Sequence, residues 1–247
     1  MNLVTIIIPY YQKIKYIEET INSVLNQTFK DFEVLVIYDD ENKSDINFIE
    51  KFCKKDNRVK LIINEKNLGA GECRNIGIDK SSSEFVAFLD ADDVWQKEKL
   101  SKQINFMISH SHLASHTSYN IIDENGEKQS SRIAKKLNYK KILSSCDIGL
   151  STVILRKEIL DKDTRFPKLK TKEDYVMWLE LTKRGVIFEA LDENLACWRK
   201  TKNSLSSSTI RKLLDGYSVY RKYLGLGKIE SLFRLFNLSI NFLKKNV

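Results

Sequence analysis

Hydrophobic positions in the first half of the chain come in blocks whose period changes regularly. Short, nearly continuous apolar runs rich in Val, Ile, Leu and Phe stand at Val4 to Ile8, Glu33 to Tyr38, Val59 to Ile63 and Glu84 to Leu89. Their length and β-branched character predict strands buried on both faces. Between them the spacing turns helical, predicting helices around Tyr16 to Gln27, Ile46 to Lys54 and Gly71 to Asp79. Strands alternating with helices imply a parallel sheet covered on both faces, with right-handed crossovers. The second half is less regular. Ala114 to Ile122 followed by Asp123-Glu124-Asn125-Gly126 reads as a strand and turn, Thr152 to Leu155 and Val186 to Ala190 as short strands, and Glu173 to Arg184 as a helix. The expected class is therefore α/β, with a Rossmann-like N-terminal half and a mixed second half.

After about Ser204 the pattern becomes that of two basic amphipathic helices. In the last one Ile229, Leu232, Phe233, Phe236, Ile240 and Leu243 share a face, with Arg234, Asn237, Asn241, Lys244 and Lys245 elsewhere. A basic helix with an aromatic apolar face suits a membrane interface or packing on the domain, and the same choice holds for Tyr217, Tyr220 and Tyr223. No apolar stretch reaches the roughly 18 residues needed to span a bilayer. The N-terminus runs straight into a strand without the marks of a signal peptide.

The chemistry is concentrated where the apolar run Phe85-Val86-Ala87-Phe88-Leu89 ends in Asp90-Ala91-Asp92-Asp93, three carboxylates within four residues. Crowded carboxylates repel unless a cation sits among them, and a hard divalent ion such as Mg2+ or Mn2+ is commonly held by one or two carboxylates plus substrate phosphates. Ligands of open α/β sheets bind at that end of the strands. The alternative is an acidic turn capping the next helix. The formal charge of +8 points to anionic partners without choosing among them. Cys53, Cys73, Cys146 and Cys197 are far apart, which suggests neither a zinc knuckle nor a disulfide framework and fits free thiols in a reducing compartment.

These pieces, in this order, resemble the family 2 glycosyltransferases with the GT-A fold. The resemblance runs from Val4 to about Ser206: Thr5-Ile6-Ile7-Ile8-Pro9-Tyr10-Tyr11, Ser23-Val24-Leu25-Asn26-Gln27-Thr28, Asp39-Asp40, Asn67-Leu68-Gly69-Ala70-Gly71 leading to Arg74-Asn75-Ile76-Gly77, Asp90-Ala91-Asp92-Asp93, and Lys172-Glu173-Asp174-Tyr175. The last two are similar to the family's DxDD and ED motifs. The resemblance implies residues 1–206 as the catalytic domain, with a nucleotide-binding half (1–95) and an acceptor-binding half (96–206), and residues 207–247 as a basic helical tail.

The resemblance also implies roles. Pro9, Tyr11, Asp39, Asn67, Arg74, Asp90 and Arg199 are the expected nucleotide-binding residues. Asp39 would accept the imide N–H of uracil, Tyr11 would pack on the base, and Arg74 and Arg199 would reach the diphosphate, although Arg74 could equally bridge to Asp39 or Asp90. Asp92, Asp90 and Asp93 are the expected metal ligands for Mn2+ or Mg2+. Asp174 is the expected base for an inverting transfer, with Glu173 in reserve; the plain alternative for that pair is acidity complementing a helix N-terminus. Ser204 and Ser206 join Arg199 as candidates for a closing loop.

The implied reaction moves a hexose from a UDP-sugar to a lipid-diphosphate-linked saccharide at the cytoplasmic face of the inner membrane. The specific expectation is β1,3-glucosyl transfer to GlcNAc-diphosphate-undecaprenol, with galactosyl or N-acetylhexosaminyl transfer as variants. One departure is that Asp39-Asp40 continues as Glu41-Asn42-Lys43-Ser44 rather than Gly-Ser, leaving the role of Asp40 open. Competing classes are a nucleotidyltransferase, which would show a Gly-rich basic loop after the first strand, and a non-catalytic partner subunit, which would lack a metal or base carboxylate. His110, His112 and His116 invite a zinc site but lack a fourth ligand. No nucleic-acid-binding signature accompanies the positive charge.

Overall fold

The computed structural model describes residues 2–145, 147–201 and 209–244. Four parallel strands open the fold: β1 (Val4–Tyr10), β2 (Phe32–Tyr38), β3 (Val59–Ile63) and β4 (Phe85–Phe88), in the order β3-β2-β1-β4. Helices α1 (Ile14–Leu25), α2 (Ile46–Cys53) and α3 (Ala70–Lys80) make the crossovers. The continuous apolar strands are explained by the two cores they divide. Ile7, Leu35, Val86 and Phe88 point into one, while Ile6, Ile8, Val34, Val36 and Ala87 point into the other. Helix α3 lies close on β1 because position 77 is glycine: a Cβ there would stand 2.5 Å from Ile7 Cγ2.

The sheet then reverses. After the two-residue β5 (Val94–Trp95) and α4 (Lys99–Ser109) come β6 (Ala114–Ile122), β7 (Lys128–Arg132), the short α5 (Tyr139–Ile142) and β8 (Ile154–Arg156). Helix α6 (Glu173–Lys183) and the long β9 (Phe188–Arg199) complete it. β8 runs antiparallel to both β4 and β6, and β9 lies between β6 and β5.

Strand β9 outruns the expected Val186 to Ala190, so Cys197-Trp198-Arg199 belongs to the sheet rather than to a returning loop. The polar break Asp192-Glu193-Asn194 hides this continuity in the sequence. In the fold it coincides with register shifts against β6, and Asp192 and Glu193 are held by Ser118 Oγ at 2.7 Å and Lys102 Nζ at 2.6 Å. The all-polar β7 is likewise invisible to hydrophobic patterning, since it pairs only with β6 and has exposed side chains.

The C-terminal segment forms α7 (Thr209–Ser218), a π-helical turn at Val219–Tyr223 and α8 (Lys228–Lys244). It packs on the domain: Tyr220 is fully buried, and its hydroxyl lies 3.0 Å from that of Tyr175 in α6. Leu238 is buried and Leu235 packs against the same core. The opposite face of α8 is left outside.

Candidate active site

Beyond the carboxyl ends of the parallel strands, one side chain ties the turn after β4 to the N-terminus of α6. Arg74, on the buried face of α3, donates from one terminal nitrogen to Asp90 Oδ1 at 2.7 Å and from the other to Glu173 Oε1 at 2.8 Å. Its guanidinium lies over the Phe166 ring. Burial works against its charge, but Asp90 and Glu173 outweigh that and raise its pKa. A planar, permanently charged fork suits this double bridge. The acidic turn after β4 and the acidic start of α6 therefore meet at one guanidinium.

The three aspartates of the turn do not converge on one point. Asp90 keeps about a third of its side chain exposed, and among the described residues its Oδ2 has no partner. Asp92 Oδ2 is 2.7 Å from Lys13 Nζ, at the start of α1. Burial, with Asp90 nearby, raises the Asp92 pKa despite that ammonium. Asp93 points the other way, into the protein: its oxygens accept from the backbone N–H of Arg199 at 2.8 Å and from Ser151 Oγ at 2.5 Å. Burial and the neighbouring Asp92 and Asp90 push its pKa well up. Among the described residues no three metal-ligating side chains gather; Asp93 is turned from Asp90 and Asp92 and braces Ser151 and the backbone of Arg199. Asp90 and Asp92, two residues apart and each with one oxygen engaged by a basic side chain, fit a divalent ion that takes its other ligands from phosphate oxygens. In this fit Lys13 already holds a positive charge on Asp92.

Asp39 is almost fully buried, and its oxygens accept from Asn64 Nδ2 at 2.7 Å, Leu68 N at 2.9 and 3.1 Å, and Gly69 N at 2.8 Å. These three donors tie the carboxylate to the 64–69 loop and leave part of its acceptor capacity unused. That loop presents Asn67 to solvent, and Tyr11 at the end of β1 is half-exposed. Pro9, half-buried in β1 opposite Ile37, sets the backbone beneath them. In the turn that departs from the family pattern, Asp40 Oδ1 accepts Asn42 N at 3.1 Å, while its Oδ2 is buried and has no partner among the described residues.

Arg199 is committed elsewhere. Its guanidinium donates to Asp92 O at 2.8 Å, Asp123 O at 3.3 Å and Glu19 Oε2 at 2.6 Å, and it lies over the Tyr16 ring. It fastens β9 to α1 and to the acidic turn, where a diphosphate-binding cation was expected. Ser204 and Ser206 lie outside the described residues. His110 and His112 stack on each other, whereas His116 is buried with Nε2 2.9 Å from Lys135 O, so the three histidines do not meet.

Asp174 opens α6 beside Glu173. Burial, with the Glu173 charge adding to it, pushes its pKa up to about 6, against the opposing pull of Arg74. Its Oδ1 accepts the N–H of Tyr175 at 2.7 Å. A carboxyl titrating near neutrality suits general-base work. The sequence reading missed Lys13, Asn64, Ser151 and Phe166. Only Asn64, a polar residue ending the apolar strand Val59–Ile63, left a local signal; the others act through contacts distant in sequence.

The chain is 31% identical to TuaG of Bacillus subtilis, named for teichuronic acid biosynthesis, over 99% of this chain and 98% of that one. It is 32% identical to WfgD of Escherichia coli, a UDP-Glc:alpha-D-GlcNAc-diphosphoundecaprenol beta-1,3-glucosyltransferase, over 99% and 95%. Its fold matches the crystal structure of S. aureus TarS 1-349 in complex with UDP-GlcNAc, with a TM-score of 0.74, 25% identity and coverage of 95% of this chain and 70% of that one. These likenesses make the mixed α/β architecture a GT-A fold. The family model described as "Glycosyl transferase family 2" matches residues 5–164, and the chain belongs to that family.

Proposed function

We propose that this glycosyltransferase moves a hexose from a UDP-sugar, with inversion, onto a hydroxyl of a lipid-diphosphate-linked saccharide in surface-polysaccharide synthesis. The observation that carries this reading is the Arg74 bridge, which brings the acidic turn after β4 and the start of α6, with its base candidate, to one guanidinium. Asp174 takes the proton from the acceptor hydroxyl as its oxygen attacks the anomeric carbon. Asp90 and Asp92 hold Mn2+ or Mg2+, which supplies charge neutralisation for the departing diphosphate. Glu173 holds Arg74 in place, and Tyr11 and Asn67 line the nucleotide end. The preferred donor is UDP-glucose and the preferred product a β1,3 linkage to GlcNAc-diphosphate-undecaprenol, supported by the near full-length likeness to WfgD. N-acetylhexosaminyl transfer is the second reading, favoured by the likeness to TarS with its UDP-GlcNAc. The acceptor places the enzyme at the cytoplasmic face of the inner membrane. No described helix is long and apolar enough to cross it.

The test is a mass-spectrometric screen of UDP-sugars against diphosphate-lipid acceptor analogues, with and without Mn2+. A hexose-extended lipid with release of UDP is the expected outcome. Release of pyrophosphate would instead identify a nucleotidyltransferase and overturn the reading.

A further inference from the structure

Helix α8 has two apolar faces, and packing uses one. Leu238 and the fully buried Ser231 lie against the domain, while Ile229, Leu232, Phe233 and Phe236 are 86%, 58%, 60% and 62% exposed. Their spacing of three, four and seven residues puts them on one stripe. Leu214 of α7 adds another exposed apolar side chain, at 65%. Two exposed phenylalanines and three aliphatic side chains within two helices exceed the scattered apolar residues of an ordinary surface.

The same helices hold both flanks of the catalytic pair. Asp215 in α7 accepts the hydroxyl of Thr171, two residues before Glu173, at 2.6 Å. Tyr220 meets Tyr175, directly after Asp174, hydroxyl to hydroxyl at 3.0 Å, and also donates to Leu143 O at 3.0 Å. At position 216 the helices approach closely: a Cβ would stand 2.9 Å from Leu235 Cδ1 and 3.5 Å from Lys172 Cε. The exposed stripe and the N-terminus of α6 are thus joined through two side-chain clamps and one close helix crossing.

We propose that the exposed stripe of α8, with Leu214, docks on an anionic lipid bilayer, and that the clamps at Thr171 and Tyr175 set the catalytic pair at a fixed position relative to that surface. Charge complementarity selects the occupant. Residues 209–244 carry seven basic and two acidic side chains, and one of the two acids, Asp215, is engaged with Thr171. Lys222 and Lys228, exposed at the turn between the helices, flank the stripe. A second copy on the same face would bring these like charges together, whereas an anionic headgroup layer attracts them. The consequence for an acceptor carried on a lipid rests on the proposed function; the docking does not.

The experiment uses the full chain with vesicles of phosphatidylcholine alone or mixed with phosphatidylglycerol. Wild type is expected to sediment with the mixed vesicles and far less with the neutral ones. Phe233→Ser combined with Phe236→Ser is expected to lower partitioning roughly a hundredfold, since two phenyl rings no longer leave water, while turnover on a water-soluble acceptor is kept. Asp215→Ala is expected to sediment like wild type but lose kcat at unchanged donor KM, and Asp215→Asn, which can still accept from Thr171, is expected to restore it. Sedimentation of the double variant equal to wild type would overturn the docking surface. So would a concentration-dependent dimer of wild type, abolished in the double variant, that replaces vesicle binding. Unchanged kcat in Asp215→Ala would overturn the clamp. Vesicle binding without sugar transfer by wild type would sink the functional reading alone.

Discussion

Replacing Asp174 by Asn separates the base from its cost to the fold. A carboxyl held at about 6 instead of its ordinary 3.8 is favoured in its protonated form by the native state. That form lends stability below the unfolded value, and the stability is lost as pH rises through about 6. The resulting penalty on the ionised group is about 1–2 kcal/mol at about pH 5 and about 3 kcal/mol at about pH 8, and Asn escapes both. Asn also keeps an oxygen for Tyr175 N. The variant should therefore be more stable than wild type in urea unfolding, by a margin that grows by about 1–2 kcal/mol between those two pH values at unchanged slope. Its turnover should fall by about 10²- to 10⁴-fold, as expected for loss of a general base, and wild-type kcat/KM should climb with pH through about 6. A stability margin that is flat with pH, or an Asn variant less stable than wild type at both values, would refute the burial argument. Full turnover would refute the assignment of the base.

Three other substitutions probe the same site. Arg74→Ala strips the cation from two part-buried carboxylates and should cost about 3–5 kcal/mol in urea unfolding; Arg74→Lys, which keeps charge but not the fork, should recover only part of that loss. Asp92→Ala and Asp93→Ala should part company: calorimetry should show the first weakening Mn2+ binding with little effect on melting. The second should lower stability by about 1–3 kcal/mol, because Arg199 N and Ser151 Oγ lose their acceptor, and should leave metal affinity nearly intact. Gly77→Ala should cost about 1–3 kcal/mol, because its methyl overlaps Ile7, and a melting temperature equal to wild type would show that α3 can shift without penalty.

Hydrophobic period carried the nucleotide half, since β1 to β4 and their helices bury apolar residues in register with the sequence signal. It failed for β7, whose polar side chains are exposed, and for the second part of β9, whose buried Leu195, Ala196 and Cys197 are cut off from the first part by the polar Asp192-Glu193-Asn194. The site was legible as a set of residues but not as a set of contacts. Asp90, Asp92 and Asp93 look equivalent in a string, yet the turn after β4 aims Asp93 inward. Nothing local in the sequence shows that Asp39 also binds the 64–69 loop or that Arg199 also reaches α1. The partners of Arg74 lie in β4's turn and in α6, too distant in sequence for any spacing rule to connect them.

The acidic turn itself is finished from the far side of the sequence. Ser151 Oγ accepts the N–H of Asp90 and donates to Asp93, Ser151 O accepts Trp95 Nε1, and Arg199 closes over Asp92. A fragment that stops after Trp95 would carry every aspartate and still lack the scaffold that aims them. Swapping acceptor halves between relatives, whether in a laboratory chimaera or by natural recombination, will therefore conserve donor chemistry only when the grafted piece brings a serine at 151 and an arginine at 199 with it.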